Sequence, residues 1–474
     1  MSDELLYLTA TEALSRFADK SLSPVELLEA QITRAEATAD TINAFAHTHF
    51  DEAHALAVQS EARWVKGAPA GCLDGLPVAI KDETQIAGKP STCGSLILKD
   101  HMADATSPVN ERILNEGAIA HAFTTTPEFC CATVTWSRLW GVTRNPWNTE
   151  KTPGGSSGGS AAALASGACS LATGTDIGGS IRIPASCFGL VGYKPPYGRN
   201  PQTPPFNLDP YNHTGPLARS VADAALLQNV MCGPHPKDIA TLYPKLTLPT
   251  HYPDIRGWKI ALSMDLGSFE VDEEVRRNTL TAAQVFRDLG ATVEEVDIGW
   301  GPELLYGAIA YLRHLFGVSL SAELQEHADQ MTTYCRDFAE RSQSSGPRDY
   351  LNSLEIAGQA YLKLGPLLRE FDCLICPTTA VPALDATFDP STDRVGINGT
   401  EVDSLLGWAM TAPFNMLSRC PVISLPSGFA KNGVPTGLQI VGPAYRDEIA
   451  FQAATAFECA VGGWYRCAGT RPKF

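Results

Sequence analysis

Two glycine-rich turns carry the serines that could do chemistry in this chain. They are Gly154-Gly155-Ser156-Ser157-Gly158-Gly159-Ser160 and, shortly after it, Gly174-Thr175-Asp176-Ile177-Gly178-Gly179-Ser180. Glycine gives the backbone access to φ > 0 and lets a ligand reach the N–H groups with no Cβ in the way. Successive free N–H groups in such a turn form a concave, electropositive nest suited to an oxyanion. Serine is a common nucleophile for acyl transfer once a base lies within reach. The pattern predicts an acyl-transfer or hydrolytic enzyme whose base lies elsewhere in the chain.

Lys81 is the candidate base. It ends the apolar run Leu76-Pro77-Val78-Ala79-Ile80, and burial at such a strand end lowers a lysine pKa until the neutral amine accepts a proton. An ordinary lysine near pKa ~10.4 is a poor base at neutral pH. Taken alone, Lys81 reads as a solvated strand-end residue; the serine turns give it meaning.

The elements that must position these groups alternate between helix and strand. Ser23-Pro24-Val25-Glu26 reads as a capping box opening a helix. Leu76 to Lys81, Ala118 to Phe123, Leu190 to Tyr193 and Thr292 to Ile298 read as strands. Ser107-Pro108 opens a helix that stops at Gly117, Ala161 to Ala165 is a small-residue helix, and Asp272 to Leu289 is amphipathic. Residues 302–370 read as helical throughout. This alternation predicts an α/β fold with a mixed, mainly parallel twisted sheet covered by helices on both faces. With no repeat or linker in view, residues 1–474 read as one domain. Its parts are N-terminal helices (about 1–65), a core around the serine turns (about 70–230) and a helical segment (about 300–370).

Composition narrows the partners. The 474 residues carry a net charge of −16, which argues against nucleic acid and anionic membrane surfaces. No apolar run is long enough to span a membrane, and the acidic Met1-Ser2-Asp3-Glu4 start is unlike a signal peptide. The 13 cysteines, odd in number and scattered in apolar segments, suggest reduced thiols in a cytoplasm. Cys373-Leu374-Ile375-Cys376 matches C-x-x-C, but i and i+3 on a strand face opposite ways. It is read as core, and no metal site is expected.

Taken together, the segments strongly resemble the amidase signature family of serine hydrolases. The resemblance rests on Gly75 to Asp82, Thr152 to Ser160, Gly174 to Arg182, Gly189 to Pro195, Gly215 to Ser220 and Pro435 to Gly442, and so spans nearly the whole chain. It implies that Ser180 is the nucleophile, that Ser156, at a non-proline cis peptide, relays the proton, and that Lys81 accepts it. It implies an oxyanion hole built from the N–H groups of Ile177, Gly178, Gly179 and Ser180, ordered by Asp176, Arg182 and Ser157. The implied reaction uses no metal or organic cofactor and acts on a small-molecule amide; a homodimer is compatible with it.

Substrate preference is read from departures. Cys130-Cys131, which follow Phe129, stand where the family commonly has smaller residues, and the resemblance makes Phe129, Cys130 and Cys131 an apolar wall of the acyl pocket. Phe206 and Tyr211 lie in a proline- and aromatic-rich loop expected at the entrance. Arg419, in a segment where the family often has glycine, would hold a substrate carboxylate if it pointed inward. Trp136, Trp140, Trp408, Met410 and Met416 are each read as core. The expected substrates are neutral apolar or aryl amides, with esters and carbamates secondary. Two other readings stay open: the glutaminase subunit of a tRNA amidotransferase, and an α/β-hydrolase esterase using Gly155-Ser156-Ser157-Gly158-Gly159 as its elbow. The esterase reading needs a late histidine, and the last in the chain is His327.

Overall fold

Eleven strands pair into one sheet that runs through most of the chain. The computed structural model describes residues 3–474. The strands are β1 (Phe45–Thr48), β2 (Pro77–Lys81), β3 (Ile119–Thr124), β4 (Leu171–Asp176), β5 (Val191–Lys194), β6 (His213–Ala218), β7 (Lys259–Leu262), β8 (Thr292–Glu295), β9 (Cys373–Pro377), β10 (Val422–Phe429) and β11 (Pro435–Val441). Their order is β1-β3-β2-β4-β6-β5-β10-β11-β9-β7-β8. The sheet is mixed. Parallel pairing occupies two blocks, β3-β2-β4 and β9-β7-β8, and antiparallel pairing through β6, β5 and the β10–β11 hairpin joins them.

β2 is buried along its whole length, so its run is apolar without alternation. Val78 and Ile80 nevertheless face one hydrophobic core and Ala79 the other. Lys81, two residues on from Ala79, follows it onto that second face. The same alternation separates the C-x-x-C cysteines of β9: Cys373 and Ile375 join one core, Leu374 and Cys376 the other. Both thiols are buried and free, and they point away from each other.

Helices cover both faces. Helix Pro24–Ile42 opens with the expected capping box: Ser23 Oγ accepts from Glu26 N at 3.1 Å, and Ser23 N donates to the Glu26 carboxylate at 2.9 Å. Asp272 caps helix Glu273–Asp288 by accepting from Glu274 N at 2.7 Å. Helix Gly158–Ser166 is built of Gly, Ser, Ala and a single Leu and is buried throughout, because residues this small let it lie close against its neighbours. The segment from 303 to 370 is helical as read, and one turn of it, Arg313–Gly317, is π-helical. The strand expected to reach Ile298 ends at Glu295, because edge strand β8 has only β7 to pair with and β7 stops at Leu262. Among the described residues no helix is long and apolar enough to cross a membrane.

Because β3, β2 and β4 are parallel neighbours, Thr124, Lys81 and Asp176 end on the same edge of the sheet. The loops that leave this edge carry the candidate chemistry, the usual location for a site in an α/β sheet.

The sheet core is testable at Leu438, fully buried on β11. Leu438→Ala is expected to cost about 2–5 kcal/mol in urea denaturation, whereas Val58→Ala on an exposed helix face stays within about 0.5 kcal/mol. Equal effects from the two changes would contradict this packing.

Candidate active site

Lys81 is fully buried at the end of β2. Its Nζ donates to Ser156 Oγ at 2.7 Å and to Thr175 Oγ1 at 2.6 Å. Glu83 Oε2 lies 2.9 Å from the same nitrogen and accepts from Thr175 Oγ1. The Gly155–Ser156 peptide is cis. Three side chains, those of Ser156, Thr175 and Glu83, therefore converge on one ammonium.

The electrostatics differ from the sequence expectation. Burial pulls the Lys81 pKa down, but the Cys130 sulfur and the Glu83 carboxylate outweigh it and hold the amine above its ordinary value. Burial, then Glu83, pushes the Cys130 thiol up to about 12. Cys130 is thus uncharged at neutral pH, and Glu83 is the partner that counts there. Burial works against the Glu83 carboxylate, yet Lys81 keeps it below its usual range. Lys81 rests as an ammonium, not as the free amine that burial alone would give.

The second glycine turn is braced from beneath. Asp176, at the end of β4, accepts from Arg182 Nε and Nη2, each at 2.9 Å, and both side chains are fully buried. Arg182 also donates to Thr411 O, Gln439 Oε1 and Asn415 Oδ1 at 2.7–3.0 Å. Burial raises the Asp176 pKa and Arg182 more than reverses it, so Asp176 stays ionised. Ser157 stitches the two turns together: its N–H donates to Ser180 O at 3.1 Å and its Oγ to Thr175 O at 3.3 Å. Gly179 has φ +130°, and a Cβ there would collide with Thr411, so only glycine fits. Among the described residues, no acceptor takes the N–H groups of Ile177, Gly178, Gly179 or Ser180. Four consecutive N–H groups without a protein acceptor are what an oxyanion site requires.

Ser180 opens on a small cavity of about 40 Å³ whose walls include Cys130, Cys131, Ile177, Leu312, Phe316 and Leu406. Cys130 and Phe316 also line a cavity of about 350 Å³ that holds Glu83, Thr175, Phe129 and Phe206. Cys131, Phe338 and Leu405 are shared with a more polar cavity of about 390 Å³ on another side. No histidine lines any of the three, and His327 sits on a helix beside Glu326 and Gln330. The wall between the cavities is conformationally unusual: Cys93, Phe129 and Cys130 all have positive φ, between 47° and 59°. Such non-glycine outliers cluster at functional sites.

Two expected pocket residues stand elsewhere. Tyr211 is buried and stacks on Tyr311 with ring centroids 3.4 Å apart, while its backbone oxygen accepts from Asn415; it supports the turn and lines none of the three cavities. Arg419 is exposed, with its guanidinium over the Tyr197 ring at 5.3 Å and bonded to Ser418 Oγ at 2.8 Å. An aromatic face and a neighbouring hydroxyl draw it outward, so it is no pocket anchor. Trp408, Met410 and Met416 are core. Trp136 and Trp140 are half-buried, and their ring N–H groups donate to Phe388 O and Thr92 Oγ1.

Sequence reasoning missed Glu83 and Thr175. Thr175 lies inside the second glycine turn, with nothing local to set it apart. For Glu83 the available signal was an acidic residue two positions after a lysine expected to be buried, since a buried cation needs a counter-charge.

This geometry has known relatives. The Amidase family model matches residues 26–450. An acylamidase from Rhodococcus erythropolis is 32% identical over 471 residues, covering 97% of this chain and 96% of its own. A glutamyl-tRNA(Gln) amidotransferase subunit from a Cyanothece species is also 32% identical, over 485 residues, covering 95% and 97%. The crystal structure of a bacterial aryl acylamidase superposes with a TM-score of 0.89 at 32% identity, covering 96% of each chain. With a matching family model, full-length relatives and a superposable fold, the chain belongs to the amidase signature family of hydrolases that act on amides.

Proposed function

We propose that the protein hydrolyses the C–N bond of small amides, apolar or aryl next to the scissile bond, through an acyl-enzyme on Ser180. One observation carries this reading: the 2.7 Å bond from Lys81 Nζ to Ser156 Oγ, beside a Ser180 that opens on an apolar cavity. In the reaction, Ser180 Oγ attacks the carbonyl carbon as its proton passes to Ser156, whose own proton passes to neutral Lys81. The oxyanion is held by the N–H groups of Ile177 through Ser180. The proton returns through Ser156 to the departing nitrogen, which leaves as an amine. Water then enters by the same relay and releases the acid. Esters and aryl carbamates are secondary substrates on the same tetrahedral path.

A second reading, a glutaminase subunit, is favoured by one observation: the amidotransferase relative is as close as the acylamidase. Assaying the isolated protein with anilides and with glutamine separates the two. Turnover of anilides with indifference to glutamine supports the amidase, and the reverse supports the glutaminase.

Ser180→Ala is expected to lower kcat/KM by more than about a thousandfold and to abolish labelling by a fluorophosphonate, read by mass spectrometry. Lys81→Ala is expected to be nearly as severe. Ser156→Ala is expected to be milder, because water substitutes for the relay. Near-normal rates in Ser180→Ala sink the mechanism.

The pH profile tests the base. The amine must be neutral to act, and the Cys130 sulfur and the Glu83 carboxylate together hold its pKa above the ordinary lysine value, so kcat/KM is expected to rise with pH well into the alkaline range. Glu83→Gln removes the counter-charge and leaves burial, which lowers the pKa, so the limb moves to lower pH. A limb unmoved by Glu83→Gln, or one that survives Lys81→Ala, contradicts this assignment.

A further inference from the structure

The polar cavity beside the nucleophile is lined by three arginines, and two of them are accounted for. Arg341 Nε lies 2.9 Å from Asp337, and Arg394 Nε lies 3.7 Å from Glu401. The third carboxylate on the walls, Asp403, accepts the N–H groups of Leu405 and Leu406 at 3.0 and 2.8 Å. Arg313 is different. Among the described residues it has no hydrogen-bond or carboxylate partner, and its Nε is buried without one. A guanidinium offers five donors in a fixed fork that matches a carboxylate. Leaving a buried donor of that fork unpaired costs free energy that a ligand oxygen would recover.

Its place in the fold ties it to the reacting serine. Arg313 opens the π-helical turn Arg313–Gly317, and such turns recur at functional sites. Leu312, immediately before it, and Phe316, within it, line the cavity on which Ser180 opens, while Arg313 lines the polar cavity of about 390 Å³. The two cavities share Cys131, Phe338 and Leu405. One helical turn thus presents apolar side chains toward the scissile bond and an unsatisfied cation one compartment further out. The third cavity, lined by Glu83 and Glu323, contains no arginine, lysine or histidine among its walls.

We propose that Arg313 binds a carboxylate carried on the substrate away from the scissile bond, so that the preferred amides are anionic ones. This rests on the Ser180 reading for the position of the scissile bond, and it replaces the expectation of neutral substrates. The anchor that the sequence placed at Arg419 lies instead at Arg313.

The test uses mono-anilides of aliphatic dicarboxylic acids and N-acyl 4-aminobenzoates, each against a neutral substrate of the same length ending in methyl. The wild type is expected to favour the acid, mainly through KM. In Arg313→Gln the ratio of kcat/KM for acid over neutral is expected to fall about ten- to a hundredfold, the range for a charge-assisted hydrogen bond. Arg313→Lys should recover part of it. No acid preference in the wild type, or a preference that persists in Arg313→Gln, overturns the proposal. Calorimetry of an N-acyl 4-aminobenzoate and a mono-anilide acid with Ser180→Ala protein reads the site without turnover. Binding that disappears in the Ser180→Ala, Arg313→Gln double variant supports the anion site even if the catalytic assignment fails, and binding indifferent to Arg313 counts against it.

Discussion

A guanidinium with no exposed surface, Arg182, fixes the arrangement of everything around it. Removing such a charge from water costs several kcal/mol unless its donors are all met. Here Asp176 takes Nε and Nη2, Asn415 shares Nη2, and Thr411 O and Gln439 Oε1 take Nη1. Asn415 in turn donates to Asp176 O and Oδ1 and to Tyr211 O. Such a network is satisfied in one geometry only, because displacing any member strands a buried charge or dipole. Residues 176 and 182 bracket the turn that bears Ser180. The positions of its N–H groups are therefore set by ion pairing below the site, in advance of any substrate.

Strand direction supplies the second constraint. β3, β2 and β4 run parallel, so three loops with different chemistry emerge together: the Phe129–Cys131 wall, the lysine with its carboxylate, and the serine turn. Any reversal in this block would send one loop to the opposite edge. The antiparallel strands beyond β4 carry no such burden, but β11 contributes Gln439 to the Arg182 network. Both sheet regimes thus meet at one buried side chain.

What was legible in the sequence was what local rules decide. Ser23 and Glu26 announce a capping box because both partners lie within four residues. The opposed facing of Cys373 and Cys376 follows from strand parity alone. The serine turns stand out because glycine at positions such as Gly179 has no substitute. What was not legible depends on chain reversals and on neighbours distant in sequence. Glu83 lies beyond the end of its strand, and its return to Lys81 requires the tight turn in which Glu83 N and Thr84 N both donate to Lys81 O. Arg419 and Arg313 are equally polar in sequence. Only the fold sets one over Tyr197 and the other, on a helical segment, beside the cavity on which Ser180 opens. The error about the lysine was of the same kind: burial was correctly anticipated, but it was outweighed by the Cys130 sulfur and the Glu83 carboxylate, whose approach only the fold reveals.

The cysteines around the site raise the question of why serine should be the nucleophile. A thiolate attacks more readily than a hydroxyl, but the thiol must first ionise. Cys130 stands in the wall beside Lys81 and Glu83, and burial followed by the Glu83 charge pushes its pKa up to about 12. Burial likewise drives Cys93 and Cys131 well above their ordinary value. At neutral pH all three are uncharged, soft apolar surface. In the proposed mechanism serine needs no prior ionisation, because its proton would leave during attack along the relay to Lys81. Glu83 therefore acts in two directions: it supplies the counter-charge that lets a lysine be buried here, and it keeps the adjacent thiol protonated. The wall next to Ser180 stays neutral and apolar.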